Sequence, residues 1–175
     1  MRQPSLLESI KIRDPAAQSV WEIALLYPGV RALTFHRIAH SFWRAGFRFM
    51  GRLVSELGRW LSGIEIHPGA TIGKRLFIDH GTGVVIGETA VIGERVRLYQ
   101  GVTLGAKRFD VEADGGLRKG DPRHPIVEDD VVIYANATIL GRITIGRGST
   151  IGGSVWLTRS LPPGSNVTQA QSEHR

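Results

Sequence analysis

The chain of 175 residues contains no cysteine, only 2 methionines and 7% aromatic residues. Without a thiol it can have no disulfide framework, no thiolate nucleophile and no cysteine-held metal, which fits a reducing compartment. Long apolar runs are also missing. The stretch from Trp21 to Tyr27 falls far short of the roughly 20 residues that span a bilayer, and Met1-Arg-Gln-Pro-Ser has no apolar signal region. These absences predict a cytoplasmic protein that does not associate with membranes. Nor is there any run of five or more Lys and Arg. The formal net charge is +6, but the basic residues are interleaved with acids. They suit attraction of a small phosphate-bearing molecule better than a nucleic acid. What remains is 42% hydrophobic residues, enough for the core of one domain.

Residues 1–63 carry a helical pattern with no sustained alternation. Asp14-Pro15 reads as a helix start, because a first-turn N–H has no intrahelical partner to lose. Pro28-Gly29 breaks the run, helical stretches follow from about Val30 to Ala45 and from about Phe49 to Leu61, and Ser62-Gly63 closes the last. Trp21, Trp43 and Trp60 read as packing residues between these helices. His36 and His40 stand four apart, as a metal pair would, but with no third ligand in sight they read as an ordinary helix surface.

From Glu65 the period changes to six. Branched apolar residues recur at Ile66, Ile72 and Ile78, then at Ile86, Ile92, Leu98 and Leu104, then at Val127, Ile133, Ile139, Ile145, Ile151 and Leu157. One buried branched residue per hexad, with glycine often directly after it, predicts a parallel β-helix in which each hexad makes one flat side. Three sides per coil place Ile66, Ile86, Leu104, Ile139 and Leu157 on side one. Side two takes Ile72, Ile92, Val127 and Ile145, and side three takes Ile78, Leu98, Ile133 and Ile151. The repeat is interrupted by extra residues between Asp79 and Val85 and by a polar, Gly-rich excursion over residues 107–126, which must project rather than pack. The expected organisation is a mainly β protein: a short helical region over 1–63, the β-helix over 64–160 and a tail over 161–175.

The interruptions hold the residues suited to chemistry. His80 is a candidate general base at a corner, preceded by Asp79, and Glu65 lies near one full coil away as the candidate carboxylate that orients its ring. Arg123-His124, framed by Pro122 and Pro125, presents a guanidinium suited to a carboxylate; it also has the simpler use of an ion pair holding the loop. His80 follows side three whereas Arg123 follows side one. One prism cannot easily join two corners, but copies around a threefold axis can, which predicts a homotrimer with sites between subunits.

The sequence Glu65-Ile-His-Pro-Gly-Ala-Thr-Ile-Gly, followed by Asp79-His-Gly-Thr-Gly-Val-Val-Ile-Gly-Glu-Thr-Ala, Gln100-Gly-Val-Thr-Leu-Gly and Arg123-His-Pro, resembles the serine acetyltransferases among the hexapeptide-repeat acyltransferases. Arg13-Asp-Pro-Ala and His36-Arg-Ile-Ala-His extend the similarity upstream. The resemblance implies a left-handed helix, although the usual crossover rule is right-handed. It implies acetyl transfer from acetyl-CoA to the hydroxyl of L-serine for cysteine synthesis, with no metal. It assigns His80 and Glu65 to catalysis and Asp14, Asp79, Arg123 and His124 to the amino acid. Gly105, Ala106, Ala135 and Gly153 fall to acetyl-CoA.

The chain departs from the family pattern in three places. Its helical region is short, which predicts a trimer rather than a hexamer. Gly105-Ala106 replaces Gly-Gly, with an extended loop after it. The tail has no terminal Ile, so no complex with the next enzyme of the pathway is expected. Three other readings remain: a hexapeptide acyltransferase for another hydroxy amino acid, a sugar or an amine; a carbonic-anhydrase-like zinc protein, for which His67, His80 and His124 lack the spacing; and a silent scaffold.

Overall fold

The computed structural model describes residues 3–108, 116 and 120–169. Four helices come first: α1 (Leu6–Arg13), α2 (Val20–Leu26), α3 (Pro28–Arg44) and α4 (Arg48–Ser62). Both short helices begin with a capping box, Ser5 with Glu8 and Ser19 with Glu22, in which side chain and backbone satisfy each other's free donors. The expected helix start at Asp14-Pro15 is a helix end. The Asp14 N–H donates to Ile10 O at 2.9 Å, and Asp14 Oδ1 accepts from the Ala16 N–H at 2.9 Å. An Asx turn has won over the proline signal. Pro28 does open a helix, at the first turn of α3.

Fourteen short strands follow. They are β1 (Glu65–Ile66), β2 (Thr71–Ile72), β3 (Phe77–Ile78), β4 (Val85–Ile86), β5 (Val91–Ile92), β6 (Arg97–Leu98), β7 (Thr103–Gly105), β8 (Ile126–Val127), β9 (Val132–Ile133), β10 (Thr138–Leu140), β11 (Thr144–Ile145), β12 (Thr150–Ile151), β13 (Trp156–Leu157) and β14 (Asn166–Val167). All pairings are parallel and form three sheets, β1-β4-β7-β10-β13, β2-β5-β8-β11 and β3-β6-β9-β12-β14. These are the three sides expected from the hexads, residue for residue: Ile66 pairs with Ile86, Ile72 with Ile92, and Ile78 with Leu98. The repeating Ile, Leu and Val side chains fill one continuous buried core. The coil runs past residue 160, since β14 pairs with β12.

The helices cap this prism. Gly29, at the start of α3, lies so close to β3 that an added Cβ would sit 2.4 Å from Ile78 O. On α4 the buried residues are the small Gly51, Ser55, Gly58 and Ser62, and the Ser55 hydroxyl donates to Ile66 O at 2.7 Å. The large apolar side chains of α4 face outward instead. Trp60 is 83% exposed and Trp21, on α2, is 78% exposed, so neither packs between helices as the sequence suggested. Trp43 does pack, edge-on against His67 at 4.9 Å, with Arg48 over its face at 4.1 Å. His36 is likewise buried rather than on the helix surface.

Candidate active site

The corner after side three is where the regular coil is broken. Six residues, 79–84, connect β3 to β4, whereas four, 99–102, connect β6 to β7 one coil up. The longer corner turns sharply: the Gly81 N–H donates to Asp79 O at 2.7 Å, and His80 adopts a left-handed φ of 58°. That conformation is uncommon outside glycine and is often found where a side chain must be presented. His80 is accordingly 75% exposed at its side chain, with Nε2 3.9 Å from Asp79 Oδ1.

Near it the helical cap contributes one carboxylate, Asp14. Arg13 fastens the end of α1 to the prism by donating to Arg75 O at 2.6 Å and Arg95 O at 3.0 Å. Burial and the neighbouring Arg97 lower its pKa to about 10. Asp14 is thereby held at the same corner. Its Oδ2 accepts from the Tyr27 hydroxyl at 2.6 Å. Although burial works in the opposite direction, the bonds from Tyr27 and the Ala16 N–H hold Asp14 below the usual carboxylate range. The same hydrogen bond, and then burial, push Tyr27 up to about 12.

Asp79 is half of an ion pair not foreseen from sequence. Arg97 Nη2 lies 2.6 Å from Asp79 Oδ2, with the two side chains 21% and 15% exposed. Glu65, by contrast, is turned to Arg59 Nη1 at 3.5 Å. No hydrogen bond or ion pair joins Glu65 to His80 among the described residues.

A second cluster occupies the corner after side one. The Arg123 guanidinium donates to Glu88 Oε2 at 2.6 Å, so the loop-holding ion pair is present. His124 is buried. Its Nδ1 accepts from the Thr89 N–H at 3.1 Å and lies 2.9 Å from Thr89 Oγ1. Thr89 Oγ1 in turn accepts from the backbone N–H groups of Arg123 and His124 at 2.9 and 3.1 Å. Burial, then the adjacent Arg123, depress the His124 pKa to about 4. The ring is therefore neutral near pH 7, and this network assigns its proton to Nε2, leaving a donor.

The remaining candidates divide between the same two corners. Ala135 and Gly153 follow β9 and β12 on the column above His80, where the Ser154 N–H donates to Ala135 O at 2.8 Å. Gly105 ends β7 and Ala106 follows it, on the column of Arg123. A Cβ on Gly105 would meet Leu140 Cδ2 at 2.8 Å, whereas one on Gly153 would meet only Ala135 O at 3.3 Å. Packing accounts for the first glycine; the second lines an open surface. The structure thus brings Asp14, Asp79 and His80 together, and separately Arg123 and His124. Most of the expected projecting loop, 109–115 and 117–119, lies outside the described residues.

Residues 124–159 match the family described as Bacterial transferase hexapeptide (six repeats). A serine acetyltransferase of Helicobacter pylori is 46% identical over 167 residues, covering 95% of this chain and 92% of that protein. The chain belongs to the serine acetyltransferase family. A plasmid-encoded family member from Synechococcus elongatus is 63% identical over 158 residues, which is 90% of this chain but 50% of that protein. Two solved structures have the same fold. The Neisseria gonorrhoeae serine acetyltransferase in complex with serine is 36% identical with a TM-score of 0.83, covering 92% of this chain and 62% of that one. The Brucella abortus enzyme in complex with coenzyme A is 32% identical with a TM-score of 0.85, covering 93% and 62%. The chain thus spans half the length of the Synechococcus relative and about three fifths of these structures.

Proposed function

We propose that this protein transfers the acetyl group of acetyl-CoA to the hydroxyl of L-serine, giving O-acetyl-L-serine and CoA for cysteine synthesis. The observation that carries the reading is the corner after side three, where an exposed imidazole, His80, stands beside two carboxylates, Asp14 and Asp79, in a member of this family. His80 takes the hydroxyl proton as the serine oxygen attacks the thioester carbonyl and returns it to the departing CoA sulfur. Glu65 is the candidate for orienting the ring. Its tie to Arg59 is between half-exposed side chains, worth about 1 kcal/mol or less, so releasing it costs little.

Asp14 and Asp79 hold the acceptor's ammonium group, and Arg123 with the Nε2–H of His124 holds its carboxylate. The small residues Gly105, Ala106, Ala135 and Gly153 leave room for the pantetheine arm along the backbone. Because the ammonium and carboxylate groups are held at different corners, a complete site needs side three of one subunit against side one of the next, in a trimer of left-handed prisms.

The test measures CoA release from acetyl-CoA with L-serine, homoserine, threonine and sugars. Serine should be the preferred acceptor, and His80→Ala should lower kcat by about 10² to 10⁴. An unchanged kcat removes the general base; preference for another acceptor removes the serine assignment.

A further inference from the structure

Arg97 stands at an ordinary outward position of β6, yet it makes the most connected contact of the corner. Its Nη2 donates to Asp79 Oδ2 at 2.6 Å and its Nη1 to Arg13 O at 3.3 Å. The guanidinium is held between two rings, 4.9 Å from the centre of Phe77 and 4.8 Å from that of Tyr99. Tyr99 is itself stacked on Tyr134, with centroids 5.0 Å apart and planes 11° from parallel. One cation therefore ties the helical cap, through the carbonyl before Asp14, to Asp79 on the prism.

The arrangement has a direct consequence for charge and direction. Arg97 pairs with Asp79 and so offsets one of the two carboxylates, Asp14 and Asp79, at this corner. Arg97 also uses one oxygen of Asp79 and leaves Oδ1 on the side of His80. We propose that Arg97 is a positioning residue for the acceptor's ammonium group. It fixes Asp79 and the Asp14 turn as one preorganised unit, a role that rests on the acceptor reading given above. Removing it has two opposed effects. The loss of a positive charge would favour a cation nearby. However, a carboxylate only 15% exposed and stripped of its partner would swing away toward water rather than wait in place. The second effect dominates, because the ammonium needs the carboxylate present and aimed.

Half-substrates separate this role from a merely structural one. Ethanolamine carries the ammonium and hydroxyl of serine without its carboxylate; 3-hydroxypropionate carries the carboxylate and hydroxyl without the ammonium. Each is measured as a competitive inhibitor against L-serine in wild type, Arg97→Gln and Arg97→Lys, along with KM for both substrates. Arg97→Gln should raise KM for serine and the inhibition constant of ethanolamine about tenfold, as loss of a charged hydrogen bond does. The inhibition constant of 3-hydroxypropionate and KM for acetyl-CoA should stay within about twofold, and Arg97→Lys should recover part of the loss. Unchanged or tighter ethanolamine binding in Arg97→Gln overturns the proposal, as does equal weakening of both inhibitors. A wild type that prefers another ammonium-bearing acceptor contradicts the serine assignment alone, and the same split is then read on that acceptor.

Discussion

An alanine at position 87 would place its Cβ 1.9 Å from His124 Cδ2 and 2.2 Å from Nε2, so the imidazole lies flat on a glycine that has no room for anything larger. Gly87→Ala must push the ring off Thr89 and turn the Nε2–H away from the acceptor. The expected result is a fall in kcat/KM for serine of at least about tenfold, or ~1.4 kcal/mol, with KM for acetyl-CoA little changed; steady-state kinetics in both substrates would check it. Only some of these residues stand out in the sequence, for a physical reason. Asp79, His80 and Arg123 could be picked out because they interrupt a six-residue period. Arg97 could not, since an outward charge on a hexad looks like any solvated side chain. Glu88, Thr89 and Tyr27 carry no sequence signal of their own, yet they contact Arg123, His124 and Asp14, all of them site candidates. A sequence shows which residues break a pattern but not which conforming residues reach across coils to support them.

Among the elements, the hexad strands were read to the residue because their inward positions repeat every six residues and each must fill the same core. The helical cap was read less well. The apolar residues of α4 face outward and its small ones inward, the reverse of a helix on a single-chain core, which is why Trp60 does not pack as expected. Asp14-Pro15 ends a helix rather than starting one because the Asp14 side chain accepts from the Ala16 N–H in an Asx turn instead of capping a new helix. The histidines of this part of the fold carry a prediction. Burial above all lowers the pKa values of His36, on α3, and His67, just after β1, to about 4, as it does for His124. Between the unfolded value of 6.5 and the folded value of about 4, the unfolded chain binds protons that the native one refuses. Stability is therefore full above pH 6.5 and falls as the pH drops through this window, by about 1.4 kcal/mol per pH unit for each such histidine at most. Urea unfolding at pH 7, 5.5 and 4.5 should show a steep decline, and a flat profile would contradict it.

For the molecule as a whole, the two candidate clusters lie at different corners of one prism, His80 after β3 and Arg123 before β8. The helical cap also exposes Trp21, Leu25, Leu26, Phe49 and Trp60, each more than two thirds accessible, more apolar surface than a solitary small domain usually leaves open. Both features agree with a working unit made of several copies, each lending half of every site. In the proposed assembly His80 of one subunit would act on a substrate held by Arg123 of its neighbour. The direct test co-expresses His80→Ala and Arg123→Ala chains, each inactive alone, and assays the mixed assembly for CoA release with serine. Sites shared between subunits predict that random mixing restores about a quarter of wild-type activity, since one interface in four pairs an intact His80 with an intact Arg123. Activity no greater than that of the two parents would contradict the shared site and place both residues at work within one chain.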